Sequence, residues 1–322
     1  MKDMNDAINA INLTKDYNGL LAVDHINFGV KKREIFGFLG PNGAGKTTTI
    51  RMLIGLTPPS DGTAKIFGHD IQHEALAAKK CMGIVPEISN IYDDLSAWNN
   101  LMFTSELYQV RGAEREKRAK ELLDMFGLYD RRKDKAKGFS KGMKRRLTIA
   151  MGLIHKPQLV FLDEPTSGLD IQSVLIIKDV IRELNKKGVT IFLTTHNIEE
   201  ANVTCDRVAI INKGKIAAIN TPEKLKKHIQ RVQSVEVAFD KTSPKIVKEL
   251  ETIPLVNEVR KEGDKYRLYT DNPAAVLSGL WDYVRANNLN PISLNTLGPS
   301  LEDVFVRLTG ISAKAERRNF NE

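Results

Sequence analysis

Residues 40 to 47 read Gly40-Pro41-Asn42-Gly43-Ala44-Gly45-Lys46-Thr47, and Thr48 follows. Three glycines let a backbone turn tightly and aim its N–H groups inward. Those N–H groups, with the positive end of a following helix, cradle phosphate oxygens. Lys46 should reach the β- and γ-phosphates as a point charge, and the Thr47 hydroxyl should hold Mg²⁺. The loop sets the ligand class without saying which nucleotide it is or what work follows.

Two further groups have the chemistry that such a loop needs. Asp163 and Glu164 follow the apolar run Leu159-Val160-Phe161-Leu162. A carboxylate at the carboxyl end of a buried parallel strand lies where ligands bind in such sheets. Asp163 would hold Mg²⁺ through water, and Glu164 would orient or deprotonate the attacking water. His196 ends the next apolar run, Val189 to Leu193 with Thr194 and Thr195, and could contact the γ-phosphate and position that water. The other five histidines have no such placement.

These residues need a parallel sheet beneath them. The run Glu34 to Leu39 reads as a strand and Lys46 to Leu56 as a helix carrying Ile50, Leu53 and Ile54 on one face. Leu159–Leu162, a helix over 172–186 and the strand Val189–Leu193 form a strand–helix–strand unit. Residues 7–38 read as short alternating strands, with turns at Asn18-Gly19 and Lys31-Lys32-Arg33. Another short strand is expected at Thr63–Phe67, and residues 96–155 are helical by period. A hairpin over Arg207–Ala218 turns at Lys213-Gly214. Beyond Gln230 the order is strand 234–239, helix 243–251, strands 256–261 and 266–270, helix 273–287, strand 292–297 and helix 301–308. That βαββαβ order plus a helix predicts a small ferredoxin-like α+β domain. The tail 313–322 is polar and expected to fray.

The chain has 322 residues, enough for about two domains. No stretch approaches the roughly 18 to 20 apolar residues that span a bilayer. The polar, acidic start predicts no signal peptide, and Cys81 and Cys205, far apart, are expected to be reduced, buried thiols. A cytoplasmic location is expected. The net charge is +8, and the segment from Arg111 to Arg146, with fourteen basic and six acidic residues, could supply all of it. Such a segment can face nucleic acid, an anionic membrane or plain solvent. It lacks interleaved aromatics to stack bases on, so a solvated face near a membrane or phosphate is preferred over nucleic acid.

In these motifs the chain resembles the ATP-binding cassette (ABC) family over residues 8–228. The phosphate loop is Gly40–Thr47, the second acidic motif Leu159–Glu164, the linking turn Ser167-Gly168-Leu169-Asp170 and the switch histidine His196. The signature, normally Leu-Ser-Gly-Gly-Gln, stands as Phe139-Ser140-Lys141-Gly142-Met143. The resemblance implies an α/β P-loop NTPase core with an antiparallel β subdomain and a helical subdomain at about 88–155, followed by the α+β domain at 232–310 and a polar tail at 311–322. It implies two cassettes dimerising head to tail around two ATP molecules. Ser140 and Gly142 of one subunit would then meet the γ-phosphate held by the other, with Asp170 at the seam. Tyr17 matches the aromatic that stacks on adenine.

Three departures from the family pattern stand out. Lys141 and Met143 replace a glycine and a glutamine of the signature. Glu87 stands where a glutamine usually approaches Mg²⁺, and a carboxylate there binds cations but repels γ-phosphate oxygens. Arg33 sits where a turn glycine is common. The ending Leu301-Glu302-Asp303-Val304-Phe305-Val306-Arg307-Leu308-Thr309-Gly310 resembles that of drug-resistance exporter ATPases of the daunorubicin type. It is equally an amphipathic helix with Leu301, Val304, Phe305 and Leu308 facing a core.

The expected protein is the ATPase subunit of an exporter, for a drug, antibiotic or lipid-like substrate. It works with a separate transmembrane permease docked near Glu87–Leu101 and a second ATP-binding subunit, for which the intact motif set favours a homodimer. It would lie peripherally on the cytoplasmic face of the cell membrane. The alternatives are a non-transport ABC ATPase acting on ribosomes or nucleic acid, against which stand a single cassette and no heptad arm, and an importer ATPase, whose extensions are all-β in the sugar-uptake kind.

Overall fold

The computed structural model describes residues 6–227 and 233–310. The chain divides into two compact units, Met1–Pro222 and Glu223–Glu322. The start of the chain, the stretch around Gln230 and the polar tail lie outside the described residues.

The first unit begins with two twelve-residue strands, β1 (Asp6–Tyr17) and β2 (Leu20–Lys31), joined at Asn18 and Gly19. Both turn residues have positive φ, 53° and 94°, as tight hairpins demand. β3 (Ile35–Leu39) leads into the phosphate loop and α1 (Lys46–Leu53). Next come β4 (Asp61–Ile66), β5 (His69–Asp70), α2 (Ala75–Lys80) and β6 (Met82–Val85). Three helices follow: α3 (Ala97–Leu107), α4 (Gly112–Met125) and α5 (Lys141–Gly152). β7 (Leu159–Asp163), α6 (Ile171–Lys186), β8 (Thr190–Thr195), α7 (Ile198–Thr204), β9 (Arg207–Asn212) and β10 (Lys215–Asn220) complete the run, and α8 (Pro222–Lys227) begins at the last residue of this unit and continues into the second.

One sheet has the order β2-β1-β4-β5 and is antiparallel. The other has the order β10-β9-β3-β8-β7-β6, parallel except for the edge pair β10–β9. Every residue of β3, β7 and β8 is buried, as the continuous apolar runs require of a sheet covered on both faces. Phe28 of β2 packs against Phe36, Phe38 and Phe192 with ring centroids 5.5–6.1 Å apart, so the aromatic cluster joins the two sheets. Removing one such ring, as in Phe192→Ala, costs about 3–5 kcal/mol. The parallel register pairs Leu39 with Thr195 and Asp163 with Thr194. The carboxyl ends of β3, β8 and β7 therefore stand in a row, and everything that follows those ends meets on one edge.

The second unit contains β11 (Gln233–Phe239), α9 (Ile246–Leu250), β12 (Glu258–Glu262), β13 (Lys265–Thr270), α10 (Pro273–Ala286), β14 (Pro291–Leu297) and α11 (Leu301–Thr309). Its sheet has the order β12-β13-β11-β14, all antiparallel. Val235, Val237, Tyr266 and Leu268 bury one face against Ile246, Leu250, Val276 and Leu280. On the alternate residues, Arg267 pairs with Asp303 of α11 at 3.2 Å and the Tyr269 hydroxyl donates to the same carboxylate at 3.3 Å.

Several expectations shift. The helix after the phosphate loop stops at Leu53, because Gly55 turns left-handed (φ 68°) and leaves Leu56 exposed. The strand expected at 63–67 is β4, which starts two residues earlier and ends one earlier, because Phe67 has φ 47° and breaks the extended run. α2, α7 and α8 were not anticipated, being too short to show a helical period. Leu308 is 40% exposed, whereas Leu301, Val304 and Phe305 are buried, so only three of the four apolar residues of α11 face a core. Cys205 is buried but Cys81 only half-buried, and both are free thiols. Arg33 takes φ 65°, the backbone a glycine would favour there. Among the described residues no helix is long and apolar enough to cross a membrane.

Candidate active site

The phosphate loop joins the end of β3 to α1. Gly45 opens the helix at φ 104° with no side-chain cap, and a Cβ there would lie 2.5 Å from the Ala22 carbonyl oxygen. An uncapped helix start leaves its first N–H groups available to an anion. Thr47 and Thr48, in the first turn, are half-buried, and Asn42 and Gly43 form the exposed tip between Pro41 and the buried Ala44. Lys46 is 6% exposed, and its Nζ donates to Gly40 O at 2.6 Å and Pro41 O at 3.2 Å.

Strand register brings the acidic motif to the same edge. The Thr194 hydroxyl donates to Asp163 Oδ1 at 2.5 Å, fixing a carboxylate that is 4% exposed. Glu164 follows with φ 48°, an uncommon backbone for a residue other than glycine. Such strain gathers at functional sites when the surroundings enforce it. Here the Glu164 N–H donates to both the carbonyl and the hydroxyl of Thr194, at 3.2 and 3.1 Å. The side chain is held at both oxygens, by Lys46 Nζ 3.2 Å from Oε1 and by His196 Nδ1, which donates to Oε2 at 2.9 Å. Burial works against the Glu164 charge, but the His196 hydrogen bond and the Lys46 charge overcome it, and the carboxyl titrates below its ordinary range.

The oxygen donors Thr47, Asp163 and Glu87 suit a hard cation. No group of three or more His, Cys, Asp or Glu converges among the described residues. The buried Asp163 carboxylate, oriented by Thr194, fits an ion that completes its shell with phosphate oxygens and water, as Mg²⁺ does.

The signature residues sit on a helix start. The Ser140 hydroxyl caps α5 by accepting from the Met143 N–H at 3.2 Å, and Gly142 lies within the first turn. Gly142 has a second constraint that the sequence hides. A Cβ there would lie 2.1 Å from Ser173 Oγ and 2.7 Å from Asp170 Oδ2. Asp170 in turn caps α6, accepting from the Ser173 N–H at 2.9 Å. Tyr17 stands apart at the end of β1, 44% exposed, with Lys15 Nζ 5.2 Å from its ring centroid. Glu87 is exposed beyond β6 and shares with Glu164 a cleft of about 540 Å³ that also includes Lys141, Lys144 and Arg145.

The basic segment 111–146 is less of a free patch than its composition implies. Arg118, Arg132, Arg145 and Arg146 spend guanidinium donors on backbone carbonyls. Arg131 and Lys144 pair with Asp134 and Asp93. The sequence reading missed Thr194 and Arg145. A hydroxyl two residues before the histidine was visible for Thr194, while Arg145 read only as one of the residues that raise the positive charge beside the signature.

The sequence model described as ABC transporter matches residues 23–167. The linearmycin resistance ATP-binding protein of Bacillus subtilis (strain 168) is 38% identical over 94% of this chain and 98% of its own length. The daunorubicin/doxorubicin resistance ATP-binding protein of Streptomyces peucetius is 36% identical over 94% and 92%. A Nod factor export ATP-binding protein I, from Ralstonia nicotianae, is 36% identical over 92% of each chain. Among solved structures, an ATP-binding subunit of an ABC transporter superposes with a TM-score of 0.64 at 29% identity, over 69% of this chain and 92% of that one. A dimeric ATP-binding cassette in a post-hydrolysis state with ADP and Pi gives 0.62 at 26%, over 66% and 98%. With near-full-length relatives at this identity and a site assembled from its own motifs, the chain belongs to the ATP-binding cassette transporter family, as an ATP-binding and ATP-hydrolysing subunit.

Proposed function

We propose that this subunit powers export, of a drug, antibiotic or lipid-like molecule, by driving a separate membrane permease through ATP-dependent dimerisation. Subunits of this family dimerise and work with membrane permease partners. The relatives, named as two resistance proteins and an export protein, support the direction. The observation that carries the catalytic reading is Glu164, at the end of β7, held between Lys46 and His196.

In this reading the loop N–H groups of 40–48 and Lys46 bind the β- and γ-phosphates, and Tyr17 stacks on adenine. Lys46 then exchanges its bonds to Gly40 O and Pro41 O for phosphate oxygens. Glu164 orients the attacking water, whose oxygen bonds to the γ-phosphorus as the bond to the ADP oxygen breaks. His196 positions that water and meets the γ-phosphate. Thr47, Asp163 and Glu87 would hold Mg²⁺, which when bound neutralises developing charge on the phosphates. Ser140 and Gly142 supply a hydroxyl, N–H groups and a helix N-terminus to the nucleotide of a second copy, with Asp170 at the seam. The complete motif set supports a homodimer.

The permease would dock beside Glu87–Leu101. Ile88, 84% exposed, and the exposed rings of Tyr92 and Phe103 support an apolar contact there, next to a cleft of about 490 Å³ lined by Trp98, Asn99, Tyr129 and Lys133. The subunit would then lie peripherally on the cytoplasmic face of the membrane. Residues 1–228 form the cassette and 232–310 an appended domain in this reading. The strand order of the second unit supports a ferredoxin-like description of it, with dimer support or partner regulation as its role.

The test is purification of tagged Glu164→Gln from gently solubilised native membranes with ATP. A multi-span protein in a two-to-two complex is expected. Co-purification with ribosomes or nucleic acid and no membrane protein would overturn the transport reading.

A further inference from the structure

Arg145 lies one turn into α5, behind the signature residues, and is 3% exposed. Its guanidinium makes no ion pair among the described residues. Instead, Nε donates to Pro165 O at 3.1 Å, Nη2 to Asp163 O at 2.5 Å, and Nη1 to Glu87 O at 3.0 Å and also to Pro86 O. The four carbonyls belong to the segments that leave β6 and β7. One planar fork thus ties α5 to the backbone of Glu87 and of Asp163 at once. A lysine has three donors on one atom and cannot span these directions.

Carbonyl acceptors satisfy the donors of Arg145 but do not cancel its charge. Arg145 lines the same cleft as Glu87 and Glu164. Burial pulls the guanidinium below its ordinary range, and the carboxylates of Asp163, Glu87, Glu164 and Glu200 pull the other way; it remains a cation. Glu87 is the group whose charge needs an offset. A neutral side chain at that position would meet a γ-phosphate without repulsion, whereas a carboxylate adds a negative charge where several already gather.

We propose that Arg145 is the counter-charge of Glu87, a positioning residue that lets a carboxylate occupy the γ-phosphate sensor position while tying the signature helix to that sensor. The proposal rests on the placement of Glu87 beside Mg²⁺ and the γ-phosphate given above. Two consequences separate it from a plain structural strut. Loss of Arg145 penalises ATP more than ADP, because only ATP brings the γ-phosphate to Glu87. And the penalty disappears when Glu87 is made neutral.

The experiment is a double-mutant cycle on the full chain: wild type, Glu87→Gln, Arg145→Gln and the double variant. Affinities for ATP and ADP are measured with Mg²⁺, together with kcat and KM for hydrolysis. Arg145→Gln alone is expected to lower the ratio of ATP to ADP affinity by about tenfold, the order for losing one unit charge close by. The double variant is expected to return within about twofold of Glu87→Gln. Equal losses from Arg145→Gln in both backgrounds, or equal weakening of ATP and ADP, overturn the proposal. If Glu87→Gln by itself leaves both the Mg²⁺ dependence and the ATPase rate unchanged, the underlying placement of Glu87 fails, and the proposal with it. Should Arg145→Gln not fold, Arg145→Lys keeps the charge without the fork. It is expected to melt lower while retaining the preference for ATP, and loss of that preference in the folded lysine variant counts against the proposal.

Discussion

Glu164 and His196 meet at 2.9 Å, Oε2 to Nδ1, across the ends of neighbouring parallel strands. The bond places the imidazole proton on Nδ1, facing the carboxylate. With Lys46 3.2 Å from the other oxygen, the carboxylate is kept ionised through the neutral range. Such a group accepts and orients a water readily. Its low pKa makes it a weaker base than a carboxyl poised near neutrality.

Replacing the acceptor while keeping its shape should stop the chemistry and spare binding. Glu164→Gln is expected to reduce hydrolysis by about 100- to 10,000-fold, the usual contribution of a positioned proton acceptor. Mg-ATP affinity should stay within a few-fold. Single-turnover phosphate release checks the first and nucleotide displacement the second. Undiminished turnover would move the catalytic role elsewhere.

Lys46→Ala removes the cation that Gly40 O, Pro41 O and Glu164 share. ATP affinity is expected to fall by at least about tenfold, the value of one charge-assisted contact to phosphate. Wild-type affinity for Mg-ATP would contradict the assignment of 40–48 as the phosphate site.

Asp70 offers a pH-dependent stability test outside the site. Burial works against its charge, but the N–H groups of Gln72 and His73 and the Thr63 hydroxyl donate to it at 2.9, 3.1 and 2.9 Å. They bring its pKa down to about 2 from 3.8. The folded pKa lies below the unfolded one, so the stabilisation is present at neutral pH and fades as pH falls from about 4 to about 2. Its size is about 2 kcal/mol. Asp70→Asn should therefore melt several degrees lower at pH 7, with the gap to wild type closing by pH 2. A gap that stays constant with pH would exclude this origin.

Asp303 closes the capping box of α11 with Ser300 and also accepts from Arg267 and Tyr269. Arg267 is 8% exposed. Asp303→Ala leaves that guanidinium buried without its carboxylate, and a loss of about 3–5 kcal/mol is expected. Glu302→Ala, on the exposed side of the same turn, should stay within about 0.5 kcal/mol. Denaturant unfolding of the two variants compares them directly, and equal effects would remove the special role of Asp303.

Local chemistry made much of this protein readable as a string. The phosphate loop is contiguous, and its glycines, lysine and threonine act through their own backbone and first helical turn. The apolar runs of β3, β7 and β8 announced a sheet buried on both faces, and Asp163, Glu164 and His196 were placed by following those runs to their ends. Short elements such as α2 and α7 escaped because two turns or fewer carry no period. The departures Glu87, Lys141 and Arg33 were visible as residues, but the left-handed backbone that Arg33 takes was not.

Tertiary structure decided which groups meet. Parallel register, a relation between residues some thirty positions apart, sets Thr194 on Asp163 and His196 on Glu164. The close packing of α5 on the start of α6 gives Gly142 a steric reason besides its place in a motif. Arg145 reads in sequence as one more charge in a basic segment, and only the convergence of four carbonyls from two strand ends makes it a buried tie. The sequence by itself determined the ligand class and the strand ends that carry the chemistry, because both follow from residue type and short-range pattern. The pairing of charges across those ends belongs to the fold, because it depends on which strands lie side by side.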